Sequence, residues 1–209
     1  MLAPERNFMV LFSDEYKPSQ FNRILDILMK ALRFKDPYTF AHSHRVERYA
    51  EYLAVAMGLE NSDAYSANVL GLLHDIGKLF VPDEVLGKPA ALNEDEWAVM
   101  RRHSEDAVRI LDCMSVSERY RRAVRAMHER FDGSGYPDGL MGESIPLLAR
   151  IITVADSFDA MMTDRPYRKG MPVEICRREL ELGRGTQFCP QVVDTMLHLI
   201  ERPSFQVYA

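Results

Sequence analysis

The chain has 209 residues, of which 47% are hydrophobic and 10% aromatic, and this is enough for one sizeable core and therefore for one domain. A net charge of −5 excludes a general attraction to nucleic acid polymers, so an anionic ligand would need a local basic site. The apolar runs are far shorter than a membrane span and the first residues lack a signal-peptide pattern, so the sequence predicts a cytoplasmic protein that does not contact a membrane.

Helical periodicity recurs along most of the chain, while alternating strand-like segments are scarce. The sequence therefore predicts an all-α fold, a bundle of about seven helices. Residues 1–19 are predicted to be irregular, because "KPSQ" interrupts the pattern, and a single domain is predicted over residues 20–209. Residues 131–146 contain four glycines and two prolines, which predicts a long functional loop between two helices.

Two of the predicted helices have clear start signals. Asp36 is a predicted N-cap, with Pro37 at the first helical position. Asn93 lies three residues before Glu96, which is the spacing of a capping box, and the periodicity that follows predicts one continuous helix over residues 92–111.

The run "LLHDIGKLF", residues 72–80, places His74 and Asp75 side by side in a segment that is predicted to be helical. Consecutive helical side chains diverge by about 100 degrees, so the two do not share one core face, but they could converge on an ion in a cleft. Lys78 follows on the same side, where its ammonium could meet a phosphate oxygen, and Gly77 lets another backbone come close. A buried, hydrogen-bonded histidine beside an aspartate explains the isolated pair equally well.

Further imidazole and carboxylate groups strengthen the metal interpretation. They are His42, His103, His128 and Asp156. This mixture suits Mn, Fe or Zn rather than Ca, and hydrolytic sites commonly hold two such ions about 3.5 to 4 Å apart, with one bridging carboxylate. The three cysteines are scattered and form no CxxC pair, which argues against a thiolate metal site or a disulfide framework.

Several long motifs, in order, resemble the HD-GYP family, a subgroup of the HD metal-dependent phosphohydrolases whose members hydrolyse the bacterial second messenger cyclic di-GMP. They include "DPYTFAHSHRV", "LLHDIGKLFVP", "HERFDGSGYPDGL" and "VADSFDAMMTDRPYR", and the Gly135-Tyr136-Pro137 triplet corresponds to the family name. The resemblance implies an HD-domain helical bundle and a metal-dependent phosphodiesterase that converts cyclic di-GMP to linear pGpG or GMP. It also implies signalling partners, such as a GGDEF-type diguanylate cyclase, that bind the Gly-Tyr-Pro loop.

The resemblance implies two divalent metal ions, Fe or Mn. The ligands that it implies are His42, His74, Asp75 and Asp156 for one ion, and His103 and His128 for the second, with Asp75 as the bridge between them. It makes Asp75 and Lys78 the catalytic residues. The residues that it implies for substrate contact are Lys78, Tyr136, Asp159, Arg165 and Arg168.

The chain departs from the family pattern at Met127, where members usually have the first of two consecutive histidines. A thioether is a poor substitute for imidazole on Fe(II) or Mn(II), so the second metal site is predicted to be weak. Tyr38 occupies a position where some members have a glutamate that helps to hold a third metal, so at most two ions are predicted. Two alternatives stay open: a sensor or adaptor with little or no activity, and a phosphohydrolase for another cyclic dinucleotide or phosphoester.

Overall fold

A computed structural model describes residues 18–164 and 169–203, together with residues 205 and 207. Within this part of the chain the protein is all-α, as predicted, and has no β-strand. Its ten α-helices exceed the predicted seven, partly because one of them is a single turn. They are α1 (Pro18–Lys35), α2 (Pro37–Ala56), α3 (Asn61–Leu73), α4 (Asp83–Leu86), α5 (Glu94–Arg101), α6 (His103–Cys113), α7 (Glu118–Arg125), α8 (Leu147–Met162), α9 (Val173–Gly183) and α10 (Pro190–Ile200).

The centre of the bundle is formed by α2, which packs against α3 on one side and α8 on the other. Tyr49 of α2 and Phe158 of α8 meet edge to face in the middle of this contact, with ring centroids 5.2 Å apart, and both are fully buried. None of the helices in the described residues is long and apolar enough to cross a bilayer.

Both predicted helix starts are confirmed. The Asp36 carboxylate accepts a hydrogen bond from the backbone N–H of Tyr38, and Pro37 is the first residue of α2. Asn93 and Glu96 form a complete capping box at the start of α5.

Two predicted helices are interrupted in the structure, and both interruptions lie beside site residues. The first is in the run 72–80, because α3 ends at Leu73 and a 3-10 turn follows from Ile76 to Phe80. The second is at Arg102, so the predicted helix over 92–111 is two helices, α5 and α6, and α6 begins at His103. Arg102 is neither a proline nor a glycine, and the first break precedes Gly77 by several residues, which is why the helical periodicity did not reveal the two breaks.

Close backbone packing joins the 3-10 turn to the start of α6. A β-carbon at Gly77 would overlap the backbone carbonyl of His103, so only glycine fits there. The contact predicted for Gly77 is therefore present, and it fixes the distance between Asp75 and His103, which flank it.

The predicted loop after α7 includes one short 3-10 turn, Gly142–Ser144, and is tied to the rest of the domain by side chains. Arg125, at the end of α7, donates two hydrogen bonds of 2.9 Å to the Asp138 carboxylate. The buried Glu129 accepts a hydrogen bond of 2.7 Å from the backbone N–H of Asp138. A β-carbon at Gly135 would overlap the backbone of Arg130, so the Gly-Tyr-Pro segment lies directly on the chain that carries His128.

Candidate metal centre

Three side chains from three helical segments converge at the inner end of α2, and we call them the first cluster: His42, His74 and Asp156. Each offers a ligand atom, and these atoms all lie within 4.8 Å of one another. His42 comes from the second turn of α2, His74 directly follows α3, and Asp156 lies on α8. The two imidazoles are buried and the carboxylate is partly exposed, so the cluster has access from one side.

Carboxylates surround His42 on both ring nitrogens. Its Nε2 lies 3.1 Å from Asp156 Oδ1, and its Nδ1 lies 2.7 Å from Asp159 Oδ2. Burial alone would lower the pKa of His42, but the hydrogen bonds to these two carboxylates outweigh it and raise the pKa to about 9. The site therefore favours a positive charge at this position, as a cation-binding site must.

His74 offers the clearest sign that a ligand belongs here. Its Nδ1 is 2.7 Å from the carbonyl oxygen of Gly71, which orients the ring and directs Nε2 toward the other site residues. Nε2 is buried and makes no hydrogen bond in the described structure, although Asp75 Oδ2 lies 3.3 Å away. A buried imidazole nitrogen without a hydrogen bond is costly unless it binds something else, and a divalent cation fits this donor set.

Asp75 lies between the first cluster and a second pair of histidines, and its two oxygens face opposite ways. Oδ2 lies 3.3 Å from His74 Nε2 and 3.8 Å from His42 Nε2, whereas Oδ1 lies 3.5 Å from His103 Nε2. The carboxylate is buried, which alone would raise its pKa, but nearby Lys78 and the imidazoles hold the pKa well below its ordinary value. A buried carboxylate that is ionised and faces two imidazole groups has the geometry of a bridging ligand.

The second pair consists of His103, the first residue of α6, and His128, at the base of the Gly-rich loop. Their Nε2 atoms are 2.8 Å apart, so one of them donates a proton to the other. Burial lowers the pKa of both residues, and for His128 the neighbouring His103 adds to the effect and brings the pKa to about 3. Both rings are therefore neutral near pH 7, the form in which imidazole binds a metal.

Lys78 is held against the metal centre by the carboxylate of Asp75. Its Nζ donates to Asp75 Oδ2 at 2.6 Å, although Lys78 lies on a 3-10 turn that Asp75 directly precedes, and not on the predicted α-helix. Burial would lower the pKa of Lys78, but Asp75 and the hydrogen bond between them raise it above its ordinary value. The residue is thus a fixed cation at the edge of the centre.

The assignment of Asp159 to substrate contact is corrected by the structure. The side chain is fully buried, and Arg45 donates to both of its oxygens, from Nε to Oδ1 at 2.7 Å and from Nη2 to Oδ2 at 3.1 Å. Oδ2 also contacts His42 Nδ1, so no part of Asp159 is available to a substrate. Its position fits a different role, which is to orient His42 and keep it basic.

Arg45 is the residue that the sequence interpretation missed. It lies three residues after His42 on the same face of α2, and that spacing is the only signal that connects it with the site.

Tyr136 lies beside the second pair, and its contact with substrate stays a prediction. Its ring stacks on His128, with centroids 5.0 Å apart and planes inclined by 20°. Arg165 and Arg168, which were also predicted to contact substrate, lie outside the described residues.

Met127 lies in the hydrophobic core and is 2% exposed. Its backbone carbonyl accepts a hydrogen bond of 2.6 Å from the Thr153 hydroxyl, which fixes the main chain just before His128. Among the described residues, the second pair therefore has two imidazoles and a share of Asp75.

Relatives with known functions match most of the chain. A cyclic di-GMP phosphodiesterase response regulator (RpfG) of Xanthomonas campestris is 40% identical over 178 residues, which are 83% of this chain and 46% of that protein. A 3′3′-cGAMP-specific phosphodiesterase of Vibrio cholerae is 39% identical over 78% of this chain and 35% of its own length. A cyclic di-GMP phosphodiesterase of Thermotoga maritima is 37% identical over 94% of this chain and 54% of its own. The chain thus spans about half or less of these relatives.

The same helical fold occurs in solved structures. A cyclic GMP-AMP-specific phosphodiesterase of Vibrio cholerae superposes with a TM-score of 0.67 over 87% of this chain and 49% of that one, at 18% identity. An HDG"Y"P protein of Bdellovibrio bacteriovorus superposes with a TM-score of 0.66 over 88% of this chain and 64% of that one, at 17% identity.

A helical bundle around buried histidines and aspartates defines the HD class of metal-binding domains. Residues 26–192 match the family described as HD domain, and the chain belongs to that family. Within it, the relatives and the Gly-Tyr-Pro motif identify the HD-GYP type, which confirms the resemblance seen in the sequence.

Proposed function

We propose that this chain is a metal-dependent phosphodiesterase that hydrolyses cyclic di-GMP. One observation carries the proposal: Asp75 directs one oxygen toward the first cluster and the other toward the second pair. That arrangement fits a two-metal hydrolytic centre, in which one carboxylate serves two ions. The relatives that act on cyclic di-GMP support the substrate, and those that act on 3′3′-cGAMP make a mixed cyclic dinucleotide the second candidate.

The ligand assignment that the family resemblance implies is proposed for the two ions. His42, His74, Asp75 and Asp156 would hold one, and His103, His128 and Asp75 would hold the other. When bound, the ions would lower the pKa of a water between them and stabilise charge on the phosphoryl oxygens. Imidazole and carboxylate ligands suit Fe or Mn.

Lys78 supplies the protein's own positive charge at this centre. Its raised pKa keeps it protonated at neutral pH, so it can donate a hydrogen bond to a phosphoryl oxygen or a proton to the leaving ribose oxygen. In the structure this ammonium donates one hydrogen bond to Asp75, and an ammonium has two further N–H groups with which it can bind a phosphoryl oxygen. Arg165 and Arg168 are proposed to bind the second phosphate.

Turnover of cyclic di-GMP by protein that is reconstituted anaerobically with Fe(II) or Mn(II) tests the proposal. The linear products pGpG and GMP are separated by chromatography, and 3′3′-cGAMP is compared at equal concentration. His42→Ala should abolish hydrolysis. His44→Ala is the matched control, because His44 lies two residues away, is partly exposed, and contacts Glu47 and the ring of Phe40, which lie outside the metal centre. Hydrolysis of neither dinucleotide by the metal-loaded parent would contradict the proposal.

A second candidate function has one specific observation in its favour. Met127 lies in the core, so among the described residues the second pair has no third imidazole, and a sensor that binds a cyclic dinucleotide without hydrolysing it fits that shortage. Binding without turnover in fully metal-loaded protein would favour this candidate. A signalling partner at the Gly-Tyr-Pro loop stays a prediction.

A further inference from the structure

An arginine and two aromatic rings form a continuous surface beside the second pair, and we call Trp97, Arg101 and Tyr136 the aromatic platform. Trp97 and Arg101 are four residues apart on α5, so they share one helix face. The Arg101 guanidinium carbon lies 5.9 Å from the Trp97 ring centroid and 5.4 Å from the Tyr136 ring centroid. Distances of this size are typical of cation–π contacts.

The platform is accessible and carries a charge that the described protein does not neutralise. Trp97 is 45% exposed, although it is the only tryptophan of the chain and would be more stable in the core. Arg101 is exposed and forms no ion pair with a carboxylate of the described residues. When the face of a guanidinium is covered by rings, its N–H groups remain free along the edge.

The platform adjoins the metal centre and does not overlap its ligands. Tyr136 stacks on His128, and His128 contacts His103 at 2.8 Å, so Arg101 is separated from the second pair by a single aromatic ring. A dinucleotide with a phosphate at the metal centre extends its bases away from the ions. A surface that binds one of those bases must therefore lie beside the centre, as this platform does.

We infer that the aromatic platform binds one guanine of the cyclic dinucleotide, with Trp97 as a stacking surface and Arg101 as a donor to the guanine edge. Exposed aromatic rings stack on bases, and an arginine fork matches the O6 and N7 acceptors of guanine. Adenine has a donor at the position of O6, so Arg101 would favour guanine. The inference rests on the proposed function, because it assigns the substrate orientation at that same centre.

The test compares a substrate with bases and one without. Arg101→Ala and Trp97→Ala should each weaken cyclic di-GMP binding by about tenfold, measured by calorimetry and as KM, with a smaller change in kcat. Turnover of cyclic di-GMP relative to bis(p-nitrophenyl) phosphate, a diester without bases, should fall by a similar factor. Trp97→Phe should restore most of the binding that Trp97→Ala loses.

Arg102→Ala is the matched control, because Arg102 is an exposed neighbour that lies over neither ring. It should bind cyclic di-GMP like the parent. Arg101→Ala should also reduce the preference for cyclic di-GMP over cyclic di-AMP, since only the guanine contact is removed.

The outcomes separate this inference from the proposed function. Equal losses on both substrates, or unchanged binding in both alanine variants, would overturn the inference and leave the phosphodiesterase proposal intact. A parent that binds cyclic di-GMP without hydrolysing it would overturn the proposed function, and the calorimetric comparison would still decide the role of the platform. A parent that neither binds nor hydrolyses it would overturn both.

Discussion

His42 and His128 are both buried imidazoles of one centre, and their pKa values move in opposite directions. For His42, hydrogen bonds to two aspartates overcome burial and raise the pKa to about 9, whereas burial and a neighbouring histidine bring the pKa of His128 to about 3. The difference follows from the distribution of negative charge. Among the described residues, the first cluster has Asp156, the support of Asp159 and one oxygen of Asp75, while the second pair has only the other oxygen of Asp75 in its immediate surroundings.

The opposite pKa shifts of His42 and His128 indicate that one centre can contain a strong and a weak cation site built from the same residue types. Attraction for a cation grows with the number of ionised ligands and with the carboxylates that support them. The first cluster should therefore bind a divalent ion more tightly than the second pair. Four changes to the chain or its conditions test that difference, and they are ordered from the largest expected effect to the smallest.

Removal of the Asp75 carboxylate, which the two sites share, should eliminate the difference in metal affinity between the first cluster and the second pair. Asp75→Ala is expected to lose both ions and all measurable hydrolysis, because the bridge is gone and the repulsion between the ions is no longer offset. Elemental analysis and cyclic di-GMP turnover check this. Asp106→Ala, which removes a carboxylate that pairs with Arg109 elsewhere on α6, is the control and should keep both ions. Two ions retained in Asp75→Ala would disprove the bridge.

An imidazole added to the second pair should reduce the difference in metal affinity between it and the first cluster. Met127→His is expected to raise the metal affinity of the second pair by at least about tenfold, since loss of even an outer-shell partner typically costs 10- to 100-fold. Titration with Mn(II), followed by the EPR signal of free Mn(II), measures both sites.

Met127 is buried in the core, so the new imidazole should also destabilise the metal-free protein, and Mn(II) should raise its Tm more than that of the parent. Met127→Leu, which keeps the core apolar, should resemble the parent in both measurements. Equal occupancy in all three proteins would show that the second pair needs no further ligand.

Loss of the charge on Asp159, which contacts His42, should lower the metal affinity of the first cluster and leave that of the second pair unchanged. Asp159→Asn keeps the size of the side chain but removes one of the two carboxylate charges, those of Asp156 and Asp159, that make His42 basic, and an affinity loss of roughly tenfold is expected there. Asp164→Asn, at an exposed position that pairs with Lys169, is the matched control. An equal loss at both metal sites would argue against a local effect of Asp159.

The last change is a change of pH. For each pH unit, it is expected to have the smallest effect, which is on the free energy of unfolding of the metal-free protein. Because the pKa of His42 rises from 6.5 to about 9 on folding, its contribution to stability is complete below pH 6.5 and is lost as the pH rises toward 9. The total is at most about 3 kcal/mol, or about 1.4 kcal/mol per pH unit. Metal affinity of the first cluster should rise over the same interval, because a proton no longer competes for Nε2.

Chemical unfolding in the presence of a chelator, repeated from pH 6 to 9.5, measures this slope. His42→Gln should flatten it, and His44→Ala should not. A parent whose stability increases over the interval would show that His42 is neutral in the folded, metal-free protein.

The sequence predicted the all-α fold, because helix periodicity and cap spacing are local properties. The grouping of the metal-capable residues was implied by the resemblance to the HD-GYP family and not by periodicity. The sequence did not predict the contact of Arg45 with Asp159, since the two residues are 114 positions apart and meet only when α2 packs on α8. It also missed the breaks after Leu73 and at Arg102, where tertiary packing overrides a continuous helical pattern. Asp159 was assigned to substrate for the same reason, because spacing along one helix does not show which face a neighbouring helix covers.

The absence of space at Gly77 has a consequence for mutation at a distance from the ligands. Main-chain atoms of the 3-10 turn rest directly on the carbonyl of His103, so the main-chain spacing between Asp75 and His103 is set by backbone contact. Any larger residue at position 77 would have to move the 3-10 turn and the start of α6 apart. A methyl group added at Gly77 would therefore separate the backbones that carry the proposed bridging carboxylate and a histidine of the second pair, without changing either side chain.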